Sequence, residues 1–269
     1  MKWLDRLFPH SGTIEPGASE PDAAMTSALA AAQAGDYQRA LALWEPLARA
    51  GNARARNNIG ACFAEGLGVE RNAELAVKWL TPAADGGDPV ARRNLAALWF
   101  KGEGVERDEV RAAALYRMAA EQGDGPAQDM LSWMLLEGAA IPRDVVEARR
   151  FALAAAAQGV ASSMTRMGML HHNALGVERD AVEAMRWWRR GADAGDADGQ
   201  AMLGAALHLG SGAERDPIEA FVWLTRASGG GSQLAAPFFE AARASLSAGD
   251  LAEARRRAGP PVKTGEAGA

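Results

Sequence analysis

An internal repeat organises most of this chain. The stretch GLGVERNAELAVKWLTPAADGG begins at Gly66, and related stretches begin at Gly102, Gly138, Ala174 and Gly210, so consecutive copies lie 36 residues apart. The register is kept throughout without an insertion or a deletion. A fixed period of roughly 20 to 50 residues indicates a solenoid, in which similar units stack and each unit contacts its neighbours. The sequence therefore predicts one continuous stack of units in place of separate globular domains.

The second half of each copy has the pattern of an amphipathic helix, here called helix B. A small residue, a bulky apolar residue and another small residue follow at i, i+3 and i+7, which places them on one helix face. The bulky positions, all expected to be buried, are Trp79, Leu115, Phe151, Trp187 and Trp223. The expected N-caps are Asn72, Asp108, Asp144, Asp180 and Asp216, and the expected C-terminal glycines are Gly87, Gly123, Gly159, Gly195 and Gly231. In three copies Glu147, Glu183 and Glu219 complete the pattern of a capping box.

A second helix, here called helix A, precedes each helix B and has its own column of small residues. These residues are Ala55, Ala91, Ala127, Ser163 and Gly199. Two helices of roughly 13 residues, joined by a Gly-rich loop, fill one period. No run of useful length alternates like a strand. The sequence thus predicts an all-α fold of about fourteen helices in seven antiparallel pairs.

The repeat resembles the Sel1-like repeats, which are close relatives of the tetratricopeptide repeats. The family pattern AxxxLGxxYxxGxGVxxDxxKAxxWYxxAAxxG is similar to ARNNIGACFAEGLGVERNAELAVKWLTPAADGG, which begins at Ala55, and the resemblance covers about Gly51 to Gly231. It implies a right-handed α-solenoid in which the A helices line the concave face. The copies depart from the pattern at Ala140 and Ala174, in place of loop glycines, and at His171, in place of an aromatic residue.

The register of the repeat and the composition of its flanks give the expected domain boundaries. We expect an N-terminal segment and flexible linker at 1–22, a repeat solenoid at 23–258 and a disordered tail at 259–269. Within the solenoid, 23–51 is expected to be an N-terminal cap pair, 52–231 five full repeats and 232–258 a C-terminal cap pair. Terminal repeats are atypical because one of their faces has no neighbour.

Net charge and cysteine content limit the class of partner and the cellular compartment that we expect. The net charge is −5, so the basic surface of a nucleic-acid-binding protein is missing. The single cysteine, Cys62, cannot form an intrachain disulfide, which favours a reducing compartment. No apolar run approaches the roughly 20 residues that cross a bilayer, and the first residues do not form a secretory signal. The sequence predicts a cytoplasmic monomer.

Few residues in the sequence suggest a catalytic, metal-binding or phosphate-binding role. His172 and His208 occupy the same position in consecutive repeats and lie near His171, but no carboxylate or cysteine recurs at a spacing that would complete a metal site. Cys62 has no base arranged on its helix, and the Gly-rich loops lack the Lys-Ser/Thr of a phosphate-binding loop. We therefore expect no cofactor, no metal and no enzymatic activity.

The expected binding site lies on helix A, outside its core stripe, where the resemblance implies a concave face. Its residues combine Trp, Met and Leu with Asn and Arg, which suits a peptide or a partner helix. They are Asn58, Arg93, Asn94, Leu98, Met130, Trp133, Met134, Arg166, Met169, Leu170 and Met202. The predicted function is a non-enzymatic scaffold or adaptor with a protein or peptide partner.

Two other functions stay open at the level of sequence. Met1–Phe8 carries Trp3, Leu4, Leu7 and Phe8, which could contact a membrane surface or dock on the first repeat. A peripheral membrane organiser is therefore one alternative. A ligand-binding or hydrolytic activity of the kind reported in the wider family is the other, and it would need a nucleophile beside a base.

Overall fold

The computed structural model describes residues 20–259, and this part of the chain is helical without a β-strand. It contains fourteen α-helices and one 3₁₀ turn, Gln233–Ala235, as the periodicity predicts. The α-helices are α1 Glu20–Gln33, α2 Tyr37–Arg49, α3 Ala53–Glu65, α4 Ala73–Asp85, α5 Pro89–Lys101, α6 Glu109–Glu121, α7 Gly125–Glu137, α8 Val145–Ala157, α9 Ala161–His172, α10 Ala181–Asp193, α11 Ala197–Leu209, α12 Pro217–Gly229, α13 Ala236–Ala244 and α14 Ala248–Ala258. The A helices of the full repeats are α3, α5, α7, α9 and α11, and the chain is an all-α solenoid of stacked helical hairpins.

The helices divide into two compact units after Pro142. Unit 1 contains α1 to α7, and unit 2 contains α8 to α14. In each unit, helices that follow one another in the chain pack together, so neighbouring hairpins within a unit contact each other. None of the helices in the described residues is long and apolar enough to span a membrane.

The predicted ends of helix B are confirmed. Each of the five Asn or Asp caps accepts a hydrogen bond from the backbone N–H three residues later, as between Asn72 and Leu75 at 2.9 Å. The five glycines that follow helix B all have positive φ, between +86° and +94°. The reciprocal half of the capping box is replaced by a different bond. The N–H of Asp180 donates to the carbonyl of His171, and that of Asp216 to Leu207, so the cap residue ties helix B to helix A.

The predicted column of helix B is buried at three of its five positions, Phe151, Trp187 and Trp223. Trp79 and Leu115 are only partly buried, so the prediction that all five bulky column residues are buried is wrong for these two. Large side chains at the next position are buried as well, in the N-terminal pair and in four of the five full repeats: Trp44, Leu80, Tyr116, Trp188 and Leu224. Glycines on helix A leave room for three of these side chains. A Cβ on Gly60, Gly168 or Gly204 would overlap Leu80, Trp188 or Leu224, respectively.

Polar bonds from helix A to the preceding helix B recur along the chain. Nε of Arg56 donates to the carbonyl of Ala48 at 2.9 Å, and Nε of Arg92 to that of Ala84 at 3.1 Å. Gln128 and Gln200 take the same position and bond to Ala120 and Ala192. The same carbonyl groups also accept from the N–H of the glycine after helix B, as between Gly51 and Ala48 at 3.1 Å. The side-chain bonds therefore fix α3, α5, α7 and α11 against the hairpin before each of them.

The terminal pairs differ from the full repeats. In the first pair a short turn at 34–36 replaces the Gly-rich loop, and α1 begins at Glu20, inside the segment expected to be a linker. In the last pair, Phe239 packs on Phe221 with ring centroids 5.0 Å apart, and Nη2 of Arg226 donates to the carbonyl of Arg257 at 2.8 Å. The predictions for 1–19 and for the tail from residue 260 onward lie outside the described residues.

Candidate interaction surface

The structure divides the eleven predicted binding residues into two groups. Four side chains are buried, so the expectation that they are open to a partner is wrong for them: Asn58, Leu98, Met134 and Leu170. The other seven are partly or largely exposed: Arg93, Asn94, Met130, Trp133, Arg166, Met169 and Met202. Leu98, for example, belongs to a core cluster with Ala76 and Leu80 of α4.

Trp133 is the most distinctive exposed residue of the A helices in unit 1. Its side chain is 37% exposed, although tryptophan is usually highly buried. It meets Phe100 of α5 edge to face, with ring centroids 5.8 Å apart and planes at 81°. The same position in the two preceding repeats is Ala61 and Ala97. A large aromatic side chain here is therefore a local addition to the repeat and is not part of its regular core.

Phe100 was not among the predicted residues. It is partly buried, and the guanidinium of Arg107 lies 5.8 Å from its ring centroid. Its sequence signal is weak because it follows Trp99, which belongs to the regular column of bulky residues. The contact with Trp133 becomes evident only when α5 and α7 are placed side by side. We call the surface formed by Asn94, Phe100, Met130 and Trp133 the A face of unit 1.

A row of side-chain amides links α3 to α5 beneath this surface. Nδ2 of Asn94 donates to Oδ1 of Asn57 at 2.9 Å, and Nδ2 of Asn57 donates to Oδ1 of Asn58 at 3.2 Å. Asn57 and Asn58 are almost completely buried. Buried amides that are hydrogen-bonded in a chain hold one arrangement of the helices in preference to others. The row thus fixes α3 and α5 relative to each other beneath the A face of unit 1.

An ion pair links α5 to α7. Nη1 of Arg93 lies 3.0 Å from Oδ2 of Asp124, and the two side chains are only 11% and 7% exposed. Burial raises the pKa of Asp124, while Arg93 and the hydrogen bond from the Ala127 N–H lower it. Burial also raises the pKa of the nearby Tyr116 hydroxyl to about 12, and this phenol stays neutral at physiological pH. Asp124 additionally caps α7 by accepting from the Ala127 N–H at 2.8 Å.

The A helices of unit 2 carry a smaller exposed group. Met169 of α9 is 41% exposed, and Arg166 and Met202 are partly exposed. Oγ1 of Thr165 donates to Oδ2 of Asp196 at 2.6 Å, which joins α9 to the start of α11. This bond takes the place that the pair Arg93 and Asp124 has in unit 1, since both join residues 31 positions apart. Arg166, Met169 and Met202 form the A face of unit 2.

Comparison with known proteins places these features in a family. Contiguous matches to the family model described as Sel1 repeat cover residues 31–52, 53–88, 89–124, 125–160, 161–196 and 197–232. The chain belongs to the Sel1 repeat family. Five of the six Sel1 matches span one helix A and one helix B each, and the first falls mainly within the N-terminal pair.

Two solved structures are similar to this Sel1 repeat chain. A Sel1 repeat protein from Oxalobacter formigenes has 26% sequence identity and a TM-score of 0.71, covering 86% of this chain and 96% of that chain. A protective antigen of uropathogenic Escherichia coli strains, with an SLR fold, has 27% identity and a TM-score of 0.72. It covers 89% of this chain and 53% of its own length, so this chain spans about half of that protein. No curated protein matches the chain.

Sel1 repeat proteins generally serve as scaffolds for protein interactions, and their fold is typical of non-enzymatic proteins. Cys62 and His172, which could suggest a catalytic or metal-binding role, both pack inside the helical repeats. Cys62 is buried, and burial raises its pKa to about 12, so the thiol is protonated at neutral pH. The ring of His172 packs against Trp188 with centroids 5.3 Å apart. Between residues 20 and 259, no group of three His, Cys, Asp or Glu side chains is placed to hold a metal ion.

Proposed function

We propose that this Sel1 repeat chain is a non-enzymatic scaffold or adaptor that binds a peptide or a partner helix on the A faces of its two units. The observation that carries the proposal is the exposure of Trp133 beside Phe100 on the A face of unit 1. Tryptophan is among the residues that contribute most to binding energy at protein interfaces, whereas it contributes little to folding where it faces water. A partner that covers the pair would remove this apolar surface from water.

The rigid layer beneath the A face supports the same function. The amide row from Asn94 to Asn58 and the ion pair between Arg93 and Asp124 hold α3, α5 and α7 in fixed positions. A surface that is already ordered loses less conformational entropy when a partner binds. Met130 lies beside Trp133 on the same helix and is partly exposed, and methionine adapts to apolar side chains of different shapes. This combination suits a short segment with one or two apolar anchors.

Binding through the A face is tested by substituting Trp133. Peptides are selected from a displayed random library on the full chain, and their dissociation constants are measured by fluorescence polarisation. Trp133→Ala is expected to weaken binding by about 1 to 3 kcal/mol, which is roughly 5-fold to 150-fold, because it removes the central anchor. Met169→Ala gives the corresponding test of the A face in unit 2.

Met118→Ala is the matched control. Met118 is 45% exposed and lies on α6, a B helix, so its truncation should leave both affinity and the circular-dichroism spectrum unchanged. Peptides that bind with undiminished affinity to both Trp133→Ala and Met169→Ala would place the binding site elsewhere. An equal loss of affinity with Met118→Ala would also contradict the proposal.

A further inference from the structure

A cavity of about 420 Å³ opens beside the first full repeat, between α2, α3 and α4 of unit 1. Its wall is mainly apolar and includes Leu41, Ile59, Phe63, Val69 and Trp79, with Gln38 and Glu45 among its polar lining residues. The volume lies within the range of roughly 300 to 1,000 Å³ that is usual for ligand pockets. Large aromatic and aliphatic side chains thus face an unfilled space.

The cavity is an incomplete part of the core. Leu41, Phe63, Val69 and Trp79 are only partly buried, although all four pack against the hydrophobic core of the first pair. Ala42 forms a low part of the wall, whereas the same position one repeat later is occupied by the longer side chain of Lys78. Trp79 is therefore a core residue that is only partly buried, and it lines the cavity.

The sequence that precedes α1 has the composition to fill this space. Residues 1–19 lie outside the described part of the chain. In their sequence, Trp3, Leu4, Leu7 and Phe8 follow the spacing i, i+1, i+4 and i+5, which is the apolar pattern of an amphipathic segment. Lys2 and Arg6 of the segment are opposite in charge to Glu45 in the cavity lining, and they outnumber its one acidic residue, Asp5.

The length of the connection permits this contact. Eleven residues, 9–19, separate Phe8 from Glu20, and they can span at most about 36 to 40 Å when extended. Helix α1 has 14 residues and is therefore about 21 Å long, and it packs against α2, which lines the cavity. The distance that the connection must cover is comparable to the length of this one helix.

We propose that Met1–Phe8 of the same chain docks in the cavity between α2, α3 and α4 and covers Trp79 with its apolar side chains. The segment fills the space beside Trp79 and adds apolar side chains to the core of the N-terminal end. A tether of this length gives an effective concentration in the millimolar range, so the contact forms within one chain before it forms between chains. This role is independent of the A faces.

The docking is tested by disulfide trapping in the full chain. Pro9→Cys is combined with Ala42→Cys, which keeps all four apolar residues of the segment intact. A disulfide requires the two Cα atoms to come within about 7 Å. Cys62 does not compete because it is buried and protonated. In a glutathione redox buffer we expect an intramolecular disulfide at least about tenfold more abundant than in the control pair, as the effective concentration implies.

The control pair is Pro9→Cys with Ala114→Cys. Ala114 is exposed like Ala42 and occupies the same position of helix B two repeats later, on α6 of unit 1. Similar yields of the intramolecular disulfide in the two pairs would overturn the proposal. Covalent dimers as the main product would overturn it as well, because they would assign the cavity to a second copy of the chain.

Hydrogen exchange provides a second measurement that needs no cysteine. Ala42→Lys places in the cavity wall the residue found one repeat later, and it should exclude the segment without affecting the hairpins. We expect amide exchange in Met1–Phe8 to be about tenfold faster in this variant than in the unsubstituted chain. Fast exchange in both proteins would show that the segment does not dock, and would leave the binding function of the A faces untouched.

Discussion

At the scale of single residues, the second glycine of the A/B loop has a role that the turn alone does not explain. Gly68, Gly104 and Gly212 all have positive φ, and a Cβ on any of them would overlap the first residues of the helix B that precedes their repeat. For Gly104 the overlapped atoms belong to the backbone of Ala73 and Glu74, which cannot move aside as a side chain can. The loop of one repeat thus packs against the previous repeat.

Substitution of Gly104 separates this packing from the backbone conformation. Gly104→Ala is expected to lower the free energy of unfolding by about 2 to 4 kcal/mol, since it adds a steric overlap to an unfavourable φ of +68°. Gly123→Ala, at φ +90° with no atom within 4 Å of the new Cβ, should cost only about 1 to 2 kcal/mol. Urea denaturation measures both. Equal losses in the two variants would show that the packing contributes nothing.

At the scale of the helices, the pair Arg93 and Asp124 is a buried polar link between α5 and α7. Burial raises the pKa of Asp124 and Arg93 opposes that rise, so the guanidinium lowers the cost of keeping this carboxylate ionised. A carboxyl whose pKa is higher in the folded state stabilises that state when protonated. This contribution is lost as the pH rises through the folded-state pKa.

Arg93→Met makes the pH dependence measurable. Without the guanidinium the pKa of Asp124 should rise further, and the free energy of unfolding should fall by about 2 to 4 kcal/mol at pH 7 because a buried charge is left unpaired. The loss should shrink as the pH falls below the new folded-state pKa, where the carboxyl is neutral. Arg92→Met is the control, since Arg92 bonds a carbonyl and its loss should not depend on pH. A loss that is the same at pH 7 and at mildly acidic pH would refute this account.

The sequence predicts the helices well because the signals that end a helix are local. Asn72 and the other caps of helix B bond within three residues of themselves, and the glycines after helix B adopt the positive φ that their position requires. How deeply a side chain is buried, in contrast, depends on residues that are distant in the sequence. Trp79 follows the same pattern as Trp187, yet Trp187 is buried whereas Trp79 is partly exposed and lines a cavity.

The candidate site was predicted less completely for a related reason. Periodicity distinguishes two faces of helix A, but both can be covered when hairpins stack on both sides, as the burial of Asn58 and Leu98 shows. Trp133 was found from sequence because it is a large apolar residue outside the core stripe of helix A. Phe100 was missed, since its importance comes from a contact between two helices and not from the spacing in either.

At the scale of the whole molecule, the apolar side of the repeat at each end of the stack has to be covered. In unit 2 the last full repeat presents Phe221, Val222 and Leu224 to a cluster that also includes Ala235, Ala242 and Ala254 from the final pair. Ser232 adds a hydrogen bond to Asp198 at 2.6 Å, which fixes the turn before this pair. On its outer side, α14 carries the exposed Arg255, Arg256 and Arg257, and Glu253 pairs with the last two. A charged outer side is what a terminal repeat needs for solubility.

Truncation after Gly231 is therefore expected to expose apolar surface of the last full repeat. The shortened chain would present Phe221 and its neighbours to water, and an uncovered apolar patch of this kind favours association. We expect concentration-dependent oligomers or aggregates by size-exclusion chromatography with light scattering, and a lower melting temperature. Truncation after Gly259 is the matched control, because it keeps α13 and α14 and should behave like the full chain. If the chain that ends at Gly231 remained monomeric and melted like this control, the final pair would be an appendage and the core of unit 2 would be closed without it.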